Sequence, residues 1–230
     1  MKYVGTELDL FQHAHNWKRY WATTVQPFIK GRVLDVGCGL GNNADHVWNK
    51  EVTSYTFLEP DANLLEQVPQ HVQAGSMASS EKILGTTTNV AGRNFDTLLY
   101  IDVIEHIADP LAELHRASGL LAVGGYVVVV VPAFQILYSP FDRAIGHYRR
   151  YNKAMLREHL PSALQIERLR YLDSVGFLLS LGNRFLLRKA APTIGQIMFW
   201  DERIIPISKV IDPLTGFSFG RSLIAVLRRS

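Results

Sequence analysis

The sequence predicts an α/β fold, a doubly wound and mostly parallel sheet with helices on both of its faces. Short apolar runs, which are typical of buried parallel strands, alternate along the chain with segments of helical composition. The first run, Val33–Val36, ends at a glycine-rich turn, which is typical of the ligand-binding edge of such a sheet. A length of 230 residues, 47% of them hydrophobic and 20% charged, suits one sizeable core.

The glycine-rich turn follows the first predicted strand. Residues 37–41 read Gly-Cys-Gly-Leu-Gly, and glycine lets the backbone approach a ligand because it carries no Cβ. A helix is predicted from Asn42 to Lys50, with its free N-terminal amides facing the same ligand. The third glycine comes one residue earlier than in the dinucleotide pattern G-x-G-x-x-G, and the sequence lacks the Gly-Lys pair of a Walker loop. The spacing therefore disfavours NAD and nucleoside triphosphates as ligands.

Two acidic residues accompany this turn. Asp35 stands two residues before the first glycine, and Glu59 follows the second predicted strand, Thr53–Leu58. Because the carboxyl ends of parallel strands meet at one edge of a sheet, both carboxylates are expected near the turn. The pattern acid-x-G-x-G-x-G, with a second acid after the next strand, resembles the first motif of the class I S-adenosylmethionine-dependent methyltransferases.

This resemblance implies S-adenosylmethionine as the cofactor and methyl transfer as the reaction. In that family the glycine turn passes under the methionine end, and the acid after the second strand, here Glu59, holds both ribose hydroxyls. The cofactor carries a sulfonium and an ammonium group, which favour nearby carboxylates, and Asp35 is expected to orient the ammonium group. The resemblance also implies a Rossmann-like sheet of seven strands, whose antiparallel last strand, Ser222–Leu227, lies beside the fifth.

A second resemblance follows the fourth predicted strand, Phe95–Ile101. The run Asp102-Val-Ile-Glu-His-Ile is similar to a signature of one large methyltransferase group, and it implies that residues 100–102 border the methionine moiety. His106 in this run is a candidate general base, and the alternative is a capping or packing role. The full set of expected cofactor-binding residues is Tyr20, Asp35, Gly37, Cys38, Gly39, Gly41, Glu59, Pro60, Ser76, Met77, Tyr100, Ile101 and Asp102.

The third predicted strand is His71–Ala74, and Thr86–Asn94 is predicted as a loop. The family usually has an acid after the third strand that binds the adenine amino group. This sequence has Ser76 and Met77 there instead. We therefore expect the adenine contact to come from the Ser76 hydroxyl and from the backbone.

A long connection, Pro132–Tyr151, carries an imidazole, two guanidiniums and two phenol rings. The run Gly-His-x-Arg-Arg-Tyr at its end resembles a bacterial methyltransferase subgroup that is associated with glycan and secondary-metabolite pathways. One interpretation makes His147 the general base beside an anion clamp, and the other is a structural network between Asp142 and an arginine. A helical segment would bring His147, Arg150 and Tyr151 to one face. The expected substrate-binding residues are Asp142, Tyr148, Arg149 and Arg150.

The whole chain, residues 1–230, is interpreted as one methyltransferase domain. Residues 1–30 form a helical flap over the cofactor, with one amphipathic helix predicted from Leu8 to Ile29. Residues 132–160 and 174–215 are interpreted as insertions on the substrate side. Leu164–Tyr171 has the alternation of a sixth strand.

Composition limits the remaining choices. Cys38 is the only cysteine, the N-terminus lacks the apolar core of a signal peptide, and no apolar run is long enough to span a bilayer, so a cytoplasmic location is expected. Residues 1–139 carry a net charge of −5 and residues 140–230 a net charge of +8. The basic half indicates an acidic substrate or an anionic surface, including a peripheral membrane contact, and a solvated basic face is the alternative.

Methyl transfer to a small-molecule acceptor, with a glycan, a lipid-linked compound or a secondary metabolite as the candidates, is the function that this pattern favours. One alternative is an NAD(P)-dependent oxidoreductase, and another is a non-catalytic protein that binds the cofactor or a membrane. A nucleic-acid partner is not expected, because no recognition module occurs and the overall basicity is mild. No metal is expected, because no group of His, Asp and Glu has ligand spacing along the sequence.

Overall fold

The structure, a computed structural model, describes residues 7–68, 80–186 and 193–230. Its centre is a seven-stranded sheet with the strand order β3-β2-β1-β4-β5-β7-β6. Strands β1 to β5 pair in parallel, and β7 pairs antiparallel with both β5 and β6. The predicted fold class is therefore confirmed, including the antiparallel last strand beside the fifth. The strands are β1 Gly31–Val36, β2 Val52–Glu59, β3 Ser80–Leu84, β4 Phe95–Ile101, β5 Leu121–Pro132, β6 Leu164–Leu172 and β7 Ser222–Arg229.

Helices and short helical turns cover both faces of the sheet and its carboxyl edge. Short 3₁₀ turns occur at Gln26–Phe28, Thr87–Val90, Ile104–His106 and Gln135–Leu137, and a π-helical turn, Trp200–Ile204, joins α9 to α10. The α-helices are α1 Glu7–Phe11, α2 His15–Val25, α3 Ala44–Val47, α4 Ala62–Gln67, α5 Pro110–Leu120, α6 Pro140–Ala144, α7 Lys153–Glu158, α8 Ser174–Leu186, α9 Ile194–Phe199 and α10 Ile205–Leu214.

The core lies in two layers, one on each face of the sheet. Successive side chains of a strand point to opposite faces, so Val33 enters the layer beneath α2 and α10, while Leu34 enters the layer beneath α5. Both layers are dominated by buried Val, Leu, Ile and aromatic residues. The sheet is thereby covered on both faces, which explains why its central strands read as continuous apolar runs.

Two helix predictions are corrected by the structure. The helix predicted from Leu8 to Ile29 is two helices, α1 and α2, followed by a 3₁₀ turn at Pro27. The helix predicted from Asn42 to Lys50 is only the single turn α3. In the first case the apolar periodicity runs across the break between the two helices, so it did not reveal where they end.

The third described strand lies later in the chain than the predicted third strand. The third strand of the sheet is Ser80–Leu84, while the predicted strand His71–Ala74 lies outside the described residues, as do Ser76 and Met77. β3 is an edge strand with no buried residue, and its sequence Ser-Glu-Lys-Ile-Leu is polar in its first half. An edge strand needs no continuous apolar run, so hydrophobicity could not locate it. The segment after the third strand therefore begins at Gly85.

Candidate active site

A cavity of about 1630 Å³ opens at the carboxyl ends of the parallel strands. Its walls come from the segments that follow β1, β2, β3, β4 and β5, from α2 above, and from α6 and α8 at the side. β1 and β4 are neighbours although they are far apart in sequence, so the strand order reverses between them. Ligands of open α/β sheets bind at such a reversal. The volume exceeds the roughly 300–1,000 Å³ of a pocket for one small ligand, so it can hold two ligands side by side.

The glycine turn forms part of the cavity floor. Gly37, Gly39 and Gly41 all have positive φ angles, of 62°, 55° and 72°. A Cβ at Gly37 would stand 3.0 Å from Val103, and one at Gly41 would stand 2.9 Å from Val68. Glycine is thus required both for the left-handed backbone and for the close approach of neighbouring chain. Gly37, Cys38 and Gly39 line the cavity, and Gly41 is not among the lining residues.

Glu59 stands beside this turn at the end of β2. Its carboxylate is 4% exposed, accepts from the Gly39 amide at 2.9 Å and from the Asp61 amide at 3.0 Å, and lines the cavity. Burial raises the pKa of Glu59, against the lowering effect of these two amides. A carboxylate oxygen can accept more than one hydrogen bond, so Glu59 can also accept hydrogen bonds from the hydroxyl groups of a ligand. Pro60 and Asp61 continue the same wall.

Asp35 lies one layer below the cavity and does not line it. The Tyr55 hydroxyl donates to Asp35 Oδ2 at 2.9 Å, and both side chains are fully buried. Burial raises the pKa of Asp35 to about 7, and the neighbouring charge of Glu59 adds to the rise, against the lowering effect of the Tyr55 hydrogen bond. Asp35 is therefore not placed to contact a ligand in the cavity directly.

Helix α2 forms a roof over the glycine turn. Trp17, Lys18 and Trp21 line the cavity, whereas Tyr20, the predicted contact, faces away and donates to Asp212 Oδ2 at 2.9 Å. The Lys18 ammonium donates to the Gln12 carbonyl, and burial lowers its pKa. Lys18 could not be recognised from the sequence, because a lysine among aromatic residues on a helix can equally lie on the solvent-exposed surface.

The end of β4 supplies the next part of the floor. Ile101 and Asp102 line the cavity, while Tyr100 points into the core and donates to Glu113 Oε1 at 2.8 Å. Asp102 has a positive φ of 55°, which turns its side chain out of the strand direction. Its carboxylate is open to the cavity yet surrounded by protein, and this desolvation raises its pKa to about 6, against the nearby positive charges.

Three titratable side chains meet beyond Asp102. Glu105 and His106 lie on the 3₁₀ turn Ile104–His106, and His147 comes from the long connection. One potential ligand atom from each of the three lies within 4.8 Å of the others, and all three residues line the cavity. Spacing along the sequence gave no sign of this group, because 41 positions separate His106 from His147. Spacing along the sequence therefore could not reveal this group, and the expectation that no metal binds stays a prediction.

The members of this group differ in their surroundings. Glu105 is 0% exposed, and neither of its carboxylate oxygens has a hydrogen-bond partner. Its Oε1 is 4.0 Å from His147 Nε2, and burial raises the pKa of Glu105. The rings of His106 and His147 pack edge to face with centroids 4.5 Å apart. Burial and the proximity of His147 lower the pKa of His106 to about 4, so its neutral imidazole prevails at pH 7.

Asp142 organises the loop that carries His147. Its buried carboxylate accepts from Ser139, from Arg150 Nε at 2.8 Å and from Arg150 Nη2 at 3.0 Å, and its Oδ1 is 3.0 Å from His147 Nδ1. Burial alone would raise the pKa of Asp142, but the hydrogen bonds from His147 and Arg150 outweigh it and hold the pKa below its usual value. The segment is not helical between residues 146 and 150, contrary to the geometry considered from sequence.

The remaining residues of the loop separate into two kinds. Arg149 donates to the carbonyls of Ile107 and Ala108 at 3.0 and 2.9 Å, so it fastens the loop to the segment after β4 and does not line the cavity. Tyr148 and Arg150 line the cavity, and Tyr148 is 59% exposed.

The segment after β3 closes the far end of the cavity. Gly85, Thr86 and Thr87 line it, next to Glu59 at the end of the adjacent strand. The Thr87 hydroxyl donates to Glu113 Oε2 at 3.1 Å. These residues could not be recognised from the sequence, because the predicted third strand, His71–Ala74, ended well before them.

Comparisons with known proteins agree with this arrangement. A family profile described as a methyltransferase domain matches residues 13–177. A ubiquinone biosynthesis O-methyltransferase from Parvibaculum lavamentivorans is 32% identical over 116 residues, which cover 47% of this chain and 43% of the relative. A protein of the same name from Paracidovorax citrulli is 29% identical over 168 residues, which cover 68% of this chain and 70% of the relative. The chain thus spans less than half the length of the first of these relatives.

A solved structure shares the fold. The N-methyltransferase NodS from Bradyrhizobium japonicum WM9, in complex with S-adenosyl-L-homocysteine, superposes with a TM-score of 0.58 at 11% identity, covering 94% of this chain and 88% of that one. At this identity the likeness concerns the fold alone. Within the described residues, no helix is long and apolar enough to cross a membrane.

Proposed function

Because the chain belongs to the methyltransferase domain family, as its match over residues 13–177 shows, we propose that it transfers a methyl group from S-adenosylmethionine to a hydroxyl oxygen of a small molecule. In this reaction the acceptor oxygen attacks the sulfonium methyl carbon, the bond between sulfur and methyl breaks, and S-adenosylhomocysteine leaves. The sulfonium is already activated, so holding the acceptor in line and excluding water supply much of the rate.

The observation that carries the proposal is the pairing of the glycine turn with the Glu59 carboxylate in the cavity wall. Glu59 accepts from the Gly39 amide, so the acid and the turn are held in one rigid unit. We assign the ribose hydroxyls to Glu59, the methionine end to the turn and Asp102, and the adenine to the segment Gly85–Thr87. Asp35 supports the turn from beneath, and α2 covers the cofactor.

The acceptor is assigned to the other end of the cavity, beyond β4. Glu59 on β2 and Asp102 on β4 are separated by β1, a spacing of about 10 Å, so a cofactor bound at Glu59 can extend across β1 towards the end of β4. The group of Glu105, His106 and His147 lies next to Asp102 on this side. An acceptor hydroxyl must lose its proton as it is methylated, and this group removes that proton. His147 is the first candidate for the general base and His106 is the second.

Oxygen is preferred over nitrogen or carbon as the attacking atom for two reasons. The relatives that match at about 30% identity are named O-methyltransferases. Three titratable groups stand where a hydroxyl needs deprotonation, whereas an unprotonated amine needs none. Arg150 and Tyr148 give the wall an anion-binding and a stacking element, which suit an acidic or aromatic acceptor and extend to the glycan, lipid-linked and secondary-metabolite candidates.

Titration calorimetry tests the cofactor. We expect S-adenosylmethionine and S-adenosylhomocysteine to bind with one site per chain and NADH to give no heat; binding of NADH alone would instead favour the oxidoreductase alternative. A panel of phenols, catechols and lipid-linked phenols, assayed for S-adenosylhomocysteine release, tests the acceptor. Release with amines only would contradict the oxygen assignment.

Membrane contact through the basic C-terminal half is a separate question. The exposed apolar residues Val210 and Leu214 of α10 stand near Lys209, a composition suited to an anionic lipid surface. Flotation with vesicles of neutral and of anionic lipid measures it. Retention only on anionic vesicles, lost in high salt, would support a peripheral contact.

A further inference from the structure

We propose that Glu105, His106 and His147 bind a divalent transition-metal cation in the wall of the cavity. The three residues come from two segments that meet at the carboxyl edge of the sheet, one directly after β4 and one in the connection after β5. Their potential ligand atoms lie within 4.8 Å of one another. Ligand atoms about 2.0–2.2 Å from a tetrahedral zinc ion are roughly 3.3–3.6 Å apart, so the widest of these separations shortens by up to roughly 1.2–1.5 Å when the site closes around an ion.

Glu105 is the first argument for an occupant. Its carboxylate is completely buried, and no hydrogen bond reaches either oxygen. Burying a carboxyl group without partners is strongly unfavourable when it is ionised, and when it is neutral its proton still lacks an acceptor. A cation between Glu105 and the two imidazoles satisfies the carboxylate.

The outer contacts of His147 are the second argument. Histidines that bind metals usually present one ring nitrogen to the ion and donate the other N–H to a carboxylate or a carbonyl. Asp142 Oδ1 stands 3.0 Å from His147 Nδ1, while His147 Nε2 faces Glu105. Arg150 and Ser139 hold the Asp142 carboxylate in place. The ring is thus oriented with Nε2 as the ligand atom.

His106 is held in a comparable way. Its ring stands against the backbone of Gly146, where a Cβ would come within 3.7 Å of His106 Nδ1. Gly146 has a φ of 88°, so the loop turns sharply just before His147 and brings both imidazoles to the same side. The edge-to-face packing of the two rings keeps them close together.

The ligand set selects the class of cation. Two imidazoles and one carboxylate suit Zn²⁺, Fe²⁺, Co²⁺ or Mn²⁺, whereas Mg²⁺ and Ca²⁺ prefer oxygen ligands throughout. Three protein ligands leave at least one position open, and the group lines the cavity, so the open position faces the bound acceptor. Asp102, three residues before Glu105, borders the same space.

The role of the cation deepens the proposed function and rests on it. A hydroxyl that binds a divalent cation loses its proton more readily, because the positive charge stabilises the oxyanion. The proton passes to solvent, and the oxyanion stays held near the methyl group. His147 then acts as a ligand of the cation, and the base is replaced by the ion itself.

Metal binding is tested on the full chain after treatment with a chelator and exchange into metal-free buffer. Titration with Zn²⁺ in a calorimeter, and with Co²⁺ followed by visible absorption, is expected to give one site per chain, with Co²⁺ bands typical of nitrogen and oxygen ligands. The matched variants are Glu105→Gln and His147→Gln, and the control is His13→Gln, an exposed histidine outside the site. We expect both site variants to weaken Zn²⁺ binding about 100-fold or more and the control to bind as the parent chain does.

A spectroscopic measurement on the parent chain tests the proposal even if the site variants fail to fold. Zinc X-ray absorption of the parent chain loaded with one equivalent is expected to show two imidazole nitrogens in the first shell. No binding by the parent chain, a first shell without imidazole, or equal affinity in folded Glu105→Gln overturns the proposal. Parallel titration with S-adenosylhomocysteine separates the two conclusions: metal bound without this nucleoside refutes the proposed function alone, and the reverse result refutes the metal site alone.

Discussion

The two ends of the cavity are held together in different ways. The end formed by β1 and β2, here called the cofactor side, depends on backbone: a turn with three glycines at positive φ and an acid that accepts from two amides. The end formed by residues 102–106 and by the loop 139–150, here called the acceptor side, depends on buried side-chain charges around Asp142. The cofactor side is therefore readable in a short run of sequence, and the acceptor side exists only after distant segments meet.

The largest effect is expected from a variant on the acceptor side. Asp142→Asn removes the charge that Arg150 and His147 share, and it leaves a buried guanidinium without its counter-charge. We expect the free energy of unfolding to fall by about 3 kcal/mol, measured by urea denaturation. Glu81→Gln breaks an exposed ion pair with Arg93 and serves as the control, with a loss below about 1 kcal/mol. Equal losses in the two variants would contradict the buried-charge account.

The next largest effect is expected on the cofactor side, where a variant of Glu59 changes ligand affinity. Glu59→Gln keeps the shape but removes the charge that is assigned to the ribose hydroxyls, so affinity for S-adenosylhomocysteine is expected to fall about 10- to 100-fold. Calorimetry measures this, with the exposed Glu66→Gln on α4 as the control. Unchanged affinity in Glu59→Gln would remove Glu59 from the cofactor site.

A third comparison separates backbone strain from closeness to the ligand. Gly37→Ala and Gly92→Ala both place a Cβ at positive φ, but only the first meets a neighbour, Val103, at 3.0 Å. Each is expected to reduce stability by about 1–2 kcal/mol in thermal denaturation. Only Gly37→Ala is expected to weaken S-adenosylhomocysteine binding, and equal binding by both variants would show that the turn is not part of the site.

The smallest effect concerns pH. Asp35 ionises near its ordinary pKa in the unfolded chain and near 7 in the folded protein, so the folded state binds a proton that the unfolded state has lost. This proton stabilises the folded state, and its contribution to the free energy of unfolding, complete below about pH 4, is lost as the pH rises towards 7. Asp35→Asn has no such proton, and its unfolding free energy should fall less between pH 5 and pH 8 than that of the parent chain. The exposed Asp45→Asn is the control, and an identical pH profile for Asp35→Asn and the parent would contradict the burial effect.

The sequence predicted what depends on local pattern. The fold class, inferred from the alternation of apolar runs with helical segments, is confirmed by the sheet. The methyltransferase family, inferred from the glycine turn and the run at Asp102, is confirmed by the profile match over residues 13–177. The narrower subgroup, defined by the run at His147, stays a prediction. The individual site residues also stay predictions, since their roles require a bound ligand or a variant.

Other features could not be predicted, for physical reasons that differ from case to case. β3 is an edge strand whose first half is polar, so it lacks the apolar run by which buried strands are recognised in a sequence. The segment Gly85–Thr87, which follows β3 and is assigned to the adenine, could therefore not be located. The group of Glu105, His106 and His147 forms because a loop folds back against the end of β4, with Arg149 bonded to two carbonyls there. No spacing rule along the chain encodes such a contact.

The roof over the glycine turn has a consequence for the order in which the protein can fold. The amides of Asn16 and Trp17 at the start of α2 donate to the Asp201 carboxylate, 185 and 184 positions further along, and Tyr20 donates to Asp212. Helix α2 thus completes these hydrogen bonds only after Asp201 and Asp212, which follow their partners in the helix by more than 180 positions, have been synthesised. Its place over the glycine turn is fixed late, although it precedes β1 in the chain.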